Sequence, residues 1–218
     1  MTQAVLTINS RNYGAWSLRG WLLCRFAGLE FDVEVIDSRD PGVLAELLMQ
    51  SPSLLVPRLA HGDLVVWNTL AIAEYLHELS PERGLFPADP AARAVCRSVS
   101  GEMHSGFTNM RSALPMNIKS RHPGYPVWAG AQADLDRIEH LWNECLATSD
   151  GPFLFGAAPT TADAMFAPVC TRIRTYDIKM GAIANAYSET ILALPEMVEW
   201  TAAAEAEDDD VQELEMEF

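Results

Sequence analysis

The chain has 218 residues, 49% of them hydrophobic, which is enough to bury one large core or two small ones. Its formal net charge of −15 argues against nucleic acid or an anionic membrane surface as a partner. No apolar run approaches the ~18 residues of a membrane-spanning helix.

The opening "MTQAVLTINSRNYG" carries no basic cluster followed by an apolar stretch. The expected compartment is therefore the cytosol. Charge is uneven: 6 basic and 10 acidic residues up to Leu85, then 9 and 20 from Phe86 onward. Eight of those acids fall in the last fourteen residues, "EAEDDDVQELEMEF", which reads as a solvated, frayed end. Cys24, Cys96, Cys145 and Cys170 are widely spaced, so neither a zinc site nor a dithiol redox pair is expected.

In chain order, "AVLTINS" reads as a strand. From Ser17, apolar residues Leu18, Trp21, Leu22 and Phe26 recur at helical spacing, with Gly28 as the stop. "FDVEVID", Phe31 to Asp37, alternates as a strand does. "PGVLAELLMQ" predicts a short helix. "VPRLAHGDLVVW" predicts two short strands about the turn "HGD", and "TLAIAEYLHEL", Thr69 to Leu79, a helix. This order predicts a small mixed sheet with helices against it. "SPERGLFPADPAAR" is rich in proline and marks a linker. Beyond it "PAARAVCRSVSGEMHSGFTNMRSAL" and "VWAGAQADLDRIEHLWNECLATS" predict long helices. "TTADAMFAPVCTRIRTY" and "PEMVEWTAAAEAE" predict shorter ones. The domain reading is 1–82, a linker over 83–92, and an all-helical 93–218 including the acidic tail.

Three features of the first half carry chemistry. In "LLVPRL" a proline stands directly before a strand, where it cannot donate to the ladder. A cis Val56–Pro57 bond would leave the Val56 N–H and C=O free for a ligand. In "VVWNTLAIAEYL", Asn68 and Thr69 stand where a strand ends and a helix begins. Thr69 is placed to cap that helix, and the same spot suits an anion. The third feature is the turn "NYGAWSLRGWLL", with Trp16, Ser17 and Arg19. Ser17 reads equally as the N-cap of its helix, and Trp16 and Trp21 as core.

Together "VPRL…LVVWNTLAIAEYL", "LFPADPAARA" and "APTTADAMFAPV" resemble the glutathione S-transferase family along nearly the whole chain. "NYGAWSLRGWLL" looks closest to bacterial members with an S-W-S-L-R turn, related to the zeta or maleylacetoacetate isomerase branch. The resemblance implies a thioredoxin-like N-terminal domain, an all-helical C-terminal domain and glutathione as cosubstrate. Val56, before a cis Pro57, would pair its backbone with the cysteinyl part. Thr69 would hold the γ-glutamyl carboxylate, and Asn68 takes a place usually acidic or Gln. Trp16 belongs to the glutathione-binding turn. Thr160 and Asp163 form a capping box that acts as a folding element.

Members of the family ionise the thiol with a hydroxyl on the first turn. The resemblance puts Gly14 where that serine would stand, with Ala15 beside it, leaving the Tyr13 phenol and Ser17 hydroxyl as nearby donors. A second-substrate pocket would lie between the domains. His104, Phe107, Asn109 and Arg111 offer one wall, and Arg172, Arg174 and Tyr176 another. His104 reads as a proton donor or as an interhelical hydrogen bond. Arg111 and Arg174 read as anion binders or as partners of acids. The overall expectation is a cytosolic homodimeric enzyme. Its bound glutathione thiolate would attack a small electrophile by conjugation or cis–trans isomerisation, with no metal. The alternative is a non-catalytic glutathione-binding or scaffold protein on the same fold. A disulfide reductase is disfavoured by the lack of cysteine on the first turn.

Overall fold

A computed structural model describes residues 3–36 and 55–207. The expected helix over "PGVLAELLMQ", Asp37 and the acidic tail from residue 208 lie outside the described residues. Four strands form one sheet in the order β2-β1-β3-β4: β1 Ala4–Ile8, β2 Asp32–Val35, β3 Arg58–His61 and β4 Leu64–Trp67. β1 runs parallel to β2 and antiparallel to β3, with Leu6 opposite Val33 and Leu59. Helices α1 (Ala15–Phe26) and α2 (Thr69–Leu79) complete a thioredoxin-like domain.

Helix α1 starts two residues before the expected Ser17, because Gly14 rather than Ser17 is its N-cap. It ends where the sequence places the stop. The Leu29 N–H reaches the Cys24 carbonyl at 3.1 Å and the Gly28 N–H the Arg25 carbonyl at 2.9 Å, with Gly28 at φ 66°. Gly20 lies in the middle of α1, where a Cβ would sit 2.5 Å from Pro57. The missing side chain lets α1 lie directly on the proline at the entry to β3. The Val56–Pro57 peptide is cis, as expected from the "LLVPRL" strand entry together with the family resemblance.

The second half is helical: α3 Pro90–Ser105, α4 Thr108–Ala113, α5 Ala129–Ala147, α6 Thr161–Tyr176, α7 Ala182–Leu192 and α8 Pro195–Glu205. The single long helix expected over "PAARAVCRSVSGEMHSGFTNMRSAL" breaks at Gly106 and Phe107, the latter in the left-handed region at φ 59°. The sequence reading missed α7. Its "AIANAYSETIL" mixes alanines with polar residues, so its buried face of Ala184, Tyr187, Ser188 and Ile191 makes a weak apolar pattern. The segment joining the domains is tied to the helical side, where the Thr161 N–H donates to the Leu85 carbonyl at 2.8 Å.

Helix α6 is the axis of the helical domain, with 15 of its 16 residues buried. Its start is held by the capping box. The Asp163 carboxylate accepts from the Thr160 N–H at 2.7 Å, the Thr160 hydroxyl at 2.9 Å, the Leu154 N–H at 3.1 Å and the Tyr187 hydroxyl at 2.9 Å. Burial pushes its pKa up against those four bonds. Asp163→Ala would strand all four donors, and is expected to cost more than about 3 kcal/mol, since each orphaned buried donor costs about 1–3 kcal/mol. Chemical denaturation of the two proteins measures it.

Candidate functional site

A cavity of about 390 Å³ opens between the domains. One wall is the turn from Tyr13 to Trp16 with Asn9, the second is Leu55 and Val56, and the third is Arg111, Pro115, Met116 and Arg172. No acidic side chain is among the described residues that line it.

The turn is closed by backbone. The Gly14 N–H donates to the Ser10 carbonyl at 3.0 Å and the Ala15 N–H to the Tyr13 carbonyl at 2.9 Å. With φ −80° and ψ 71°, Gly14 is the centre of an inverse γ-turn. A Cβ there would lie 2.1 Å from the Ser10 carbonyl oxygen and 2.4 Å from Asn9 Oδ1. The glycine is thus a steric requirement of this turn, and position 14 has no room for the side chain that the resemblance puts there. Ala15 follows on the cavity wall as the first residue of α1. Next come the Trp16 and Ser17 N–H groups, for which no acceptor occurs among the described residues. Unpaired first-turn amides and the positive end of the helix dipole make this a site for negative charge.

The two side-chain donors named from the sequence are placed differently. Ser17 is fully buried, and its hydroxyl donates to Asn9 Oδ1 at 2.6 Å while accepting from the Asn9 N–H at 3.2 Å. That hydroxyl braces the turn from behind. Tyr13 is half-buried and lines the cavity.

Asn68 and Thr69 lie outside this cavity and are linked to it by His104. The N-cap of α2 is Asn68, not Thr69: Asn68 Oδ1 accepts from the Leu70 N–H at 2.9 Å, with the Asn68 backbone at φ 74°. Thr69 is buried at the first helical position. The His104 ring from α3 sits across both, Nε2 3.2 Å from Asn68 Nδ2 and Nδ1 3.3 Å from Thr69 Oγ1. An amide nitrogen only donates, so Nε2 accepts and the ring proton is on Nδ1, toward Thr69. Burial, then the charges of Arg19 and Arg111, hold the His104 pKa below its ordinary value. The same ring meets Trp16 edge-on at 5.0 Å, joining the two parts of the site.

Beneath Trp16 lies a cluster of arginines. The Arg19 guanidinium is 4.5 Å and that of Arg111 4.9 Å from the Trp16 ring centroid. Arg19 is fully buried, with Nε donating to the Met165 carbonyl at 2.8 Å and its two terminal nitrogens unpartnered. Arg111 caps the end of α3, with Nε 3.1 Å from the Gly106 carbonyl and its Nη2 on that of Met103. Arg172 donates to the Leu114 and Pro168 carbonyls at 2.7 and 2.9 Å. Burial lowers the pKa of Arg19 well below normal and that of Arg172 to about 10, and their mutual repulsion with Arg111 adds to both. Of the two arginines on α6, it is Arg172 that joins Arg111 at the cavity. Arg174 is influenced instead by Arg121, Glu205 and Glu189.

The chain matches the glutathione S-transferase N-terminal domain over residues 13–79 and the glutathione S-transferase C-terminal domain over residues 125–203. It therefore belongs to the glutathione S-transferase family. It is 31% identical over 104 residues to glutathione S-transferase 1 of Dianthus caryophyllus, 47% of this chain, and spans about half (46%) of that relative's length. It is 22% identical to a probable maleylacetoacetate isomerase of Caenorhabditis elegans, over 86% of this chain and 88% of the relative. Among solved structures, a glutathione transferase homologue from Burkholderia with bound glutathione superposes with a TM-score of 0.71 at 20% identity, over 94% of this chain and all of that one.

Two outcomes test this geometry. Gly14→Ser is expected to destabilise the protein by about 1–3 kcal/mol through overpacking, while Ala15→Ser, on the cavity wall, stays within about 1 kcal/mol of the original. Paired denaturation curves check this. For His104, the folded pKa lies below the unfolded value, so the unfolded chain binds the proton first on acidification. The His104 contribution is complete above pH ~6.5 and is lost as the pH falls from there through the lowered folded pKa. The NMR-titrated pKa of His104 is expected below ~6.5, and His104→Asn should flatten this part of the stability profile.

Proposed function

We propose that the protein is a glutathione-dependent transferase or isomerase whose second substrate is a small anion. The observation that carries this reading is the composition of the cavity. Ala15 and Trp16, the first residues of α1, line it on one side and Arg111 and Arg172 on the other, with no acid among the described lining residues. Burying cations is costly. Arg172 donates to backbone carbonyls, and Asp134 acts on Arg111 without lining the cavity, so an anionic ligand would add negative charge where the two arginines meet.

In this reading the Val56 backbone pairs with the cysteinyl part of glutathione. Asn68, Thr69 and His104 hold the γ-glutamyl end. The sulfur meets the Trp16 and Ser17 N–H groups, with Tyr13 the side-chain donor, and Ser17 acts by its backbone while its hydroxyl braces Asn9. The helix start favours the thiolate over the thiol. The thiolate adds to a carbon conjugated to a carbonyl, forming a C–S bond and moving an electron pair to the carbonyl oxygen. In conjugation the enolate then takes a proton. In isomerisation it rotates about the former double bond and expels the thiolate, which restores both the double bond and glutathione. We also propose that the enzyme acts in the cytosol as a homodimer, with residues 1–82 and 93–218 as its two domains.

The test is glutathione calorimetry followed by assays with a neutral electrophile and with a cis-unsaturated carboxylate. The expectation is binding and preferential turnover of the carboxylate, with Arg172→Met losing that preference. Absence of glutathione binding overturns the reading. The non-catalytic alternative stays in view because Gly14 and Ala15 bring no hydroxyl to the turn; binding without turnover of either substrate would favour it. Thr69→Ala is expected to weaken glutathione binding tenfold or more, since a hydrogen bond to a charged group contributes about 1.5–3 kcal/mol. Stability should change little, because Asn68 caps the helix. Calorimetry and thermal unfolding of the same samples separate the two.

A further inference from the structure

The segment just after α8 reaches back to the turn that precedes α1. Beyond α8, the Glu207 carboxylate accepts from the Ser10 hydroxyl at 2.9 Å and from the Arg11 N–H at 2.9 and 2.8 Å. The Asn12 N–H adds a third donor at 3.3 Å, and the Arg11 guanidinium pairs with the same carboxylate at 3.3 Å. The side chains of this ion pair are 22% and 14% exposed, so solvent screens it little. Consecutive backbone N–H groups converging on one carboxylate make an anion nest.

The bonds continue toward the cavity. Ser10 Oγ, which donates to Glu207, accepts from the Asn12 N–H at 3.0 Å and the Tyr13 N–H at 3.2 Å. Two further contacts hold the segment from other sides: Trp200 Nε1 donates to the Arg11 carbonyl at 3.0 Å, and the Lys119 N–H to Asn12 Oδ1 at 3.0 Å. Lys119 Nζ returns to the Glu207 carbonyl. Backbone directions from Arg11 to Tyr13 are thereby set by Glu207, Trp200 and Lys119, immediately before Gly14 and the first amides of α1.

We propose that Glu207 is a positioning residue for the glutathione-ionising turn, a clasp by which the segment just after α8 fixes the Ser10–Tyr13 backbone and so aims the first amides of α1. The inference rests on the functional reading above. It separates from a plain charge effect by sign. A carboxylate near the sulfur opposes thiolate formation by Coulomb repulsion, so loss of its charge alone would lower the bound thiol pKa. Loss of positioning raises it, because the amides no longer converge.

The experiment uses the full chain and its Glu207→Ala, Glu207→Gln and Glu207→Asp variants. Glu199→Gln serves as control, since that carboxylate pairs with Arg25 on an exposed face. Glutathione affinity is measured by calorimetry and thiolate absorbance is followed against pH. Glu207→Ala is expected to raise the bound thiol pKa by about one unit, which lowers the thiolate fraction about tenfold below that pKa. Turnover should fall in step at acidic pH and converge with the original at high pH, where the thiol is ionised anyway. Affinity should change less than about threefold, a difference within ~0.7 kcal/mol, because the γ-glutamyl and cysteinyl contacts lie elsewhere. Glu207→Gln, which keeps a carbonyl acceptor, and Glu207→Asp, which keeps the carboxylate, should show a smaller shift than Glu207→Ala, and the Glu199→Gln control no shift. If Glu207→Ala does not fold, Glu207→Gln is read by the same criterion. A thiol pKa unchanged or lowered, beside an original protein that does ionise glutathione, overturns the clasp alone. An original protein that neither binds nor ionises glutathione overturns the functional reading and the clasp with it.

Discussion

The arrangement depends on α1 being buried on both sides. One side lies on the sheet and α2, where Gly20 admits Pro57 into direct contact. The other lies against α6 of the helical domain, where Arg19 reaches the Met165 carbonyl. Nine of its twelve residues are buried, including a serine and an arginine. A helix packed this way cannot move relative to either domain without opening a core, and close-packed interiors resist that. The turn at its N-terminus inherits the same rigidity. A site at the start of α1 is therefore fixed to the cis-proline segment and to the helical domain at once.

The cost of this packing is electrostatic. Arg19 brings a charge into the domain interface with two nitrogens unpartnered, and Arg111 and Arg172 stand near enough to repel it. Trp16 offsets part of this, because its ring face attracts the cations that flank it. The backbone carbonyls of Met103, Gly106, Leu114 and Pro168 supply partial negative charge, and Asp134 is the carboxylate that acts on Arg111. The cavity beside this cluster is lined by two arginines and no acid among the described residues, in a chain whose formal charge is −15. Its selectivity for anions, in the proposed reading, is a local property set against the net charge.

The fold was legible because its signals are local and redundant. Strand alternation in "FDVEVID", the proline before β3 and the Thr160–Asp163 pair each report their own structure. What escaped was decided by distant contacts. The break at Phe107 is a left-handed residue that sequence periodicity does not register, and α7 hides its buried face among alanines. Nothing in "NTL" says that His104 will lie over it, and nothing distinguishes Arg172 from Arg174 until helix α6 is rotated into place. The roles of Asn68 and Thr69 as cap and first helical residue differ by one position, within the usual uncertainty of helix ends. Glu207 reads as one acid in a solvated run, and its contact with the start of the chain is invisible in composition.

The chemically blank centre of the turn follows from the same constraints. Closing Gly14 onto the Ser10 carbonyl requires that no Cβ be present, so a hydroxyl cannot be carried there without opening the turn. The next hydroxyl along, on Ser17, points to the buried side of α1 and is consumed in holding Asn9. In the proposed reading a turn this tight leaves the sulfur to backbone amides and the Tyr13 phenol, and the amides are offered where a helix start leaves them unpaired. Amides have no rotamer to set, but their direction is only as well defined as the chain that carries them. That is why the segment before Gly14 is pinned by three separate parts of the molecule, the carboxylate after α8, the Trp200 indole and the Lys119 backbone. Where a side-chain donor adjusts by rotation, a backbone donor must be aimed by packing, and the contacts around residues 10–13 are placed to do that.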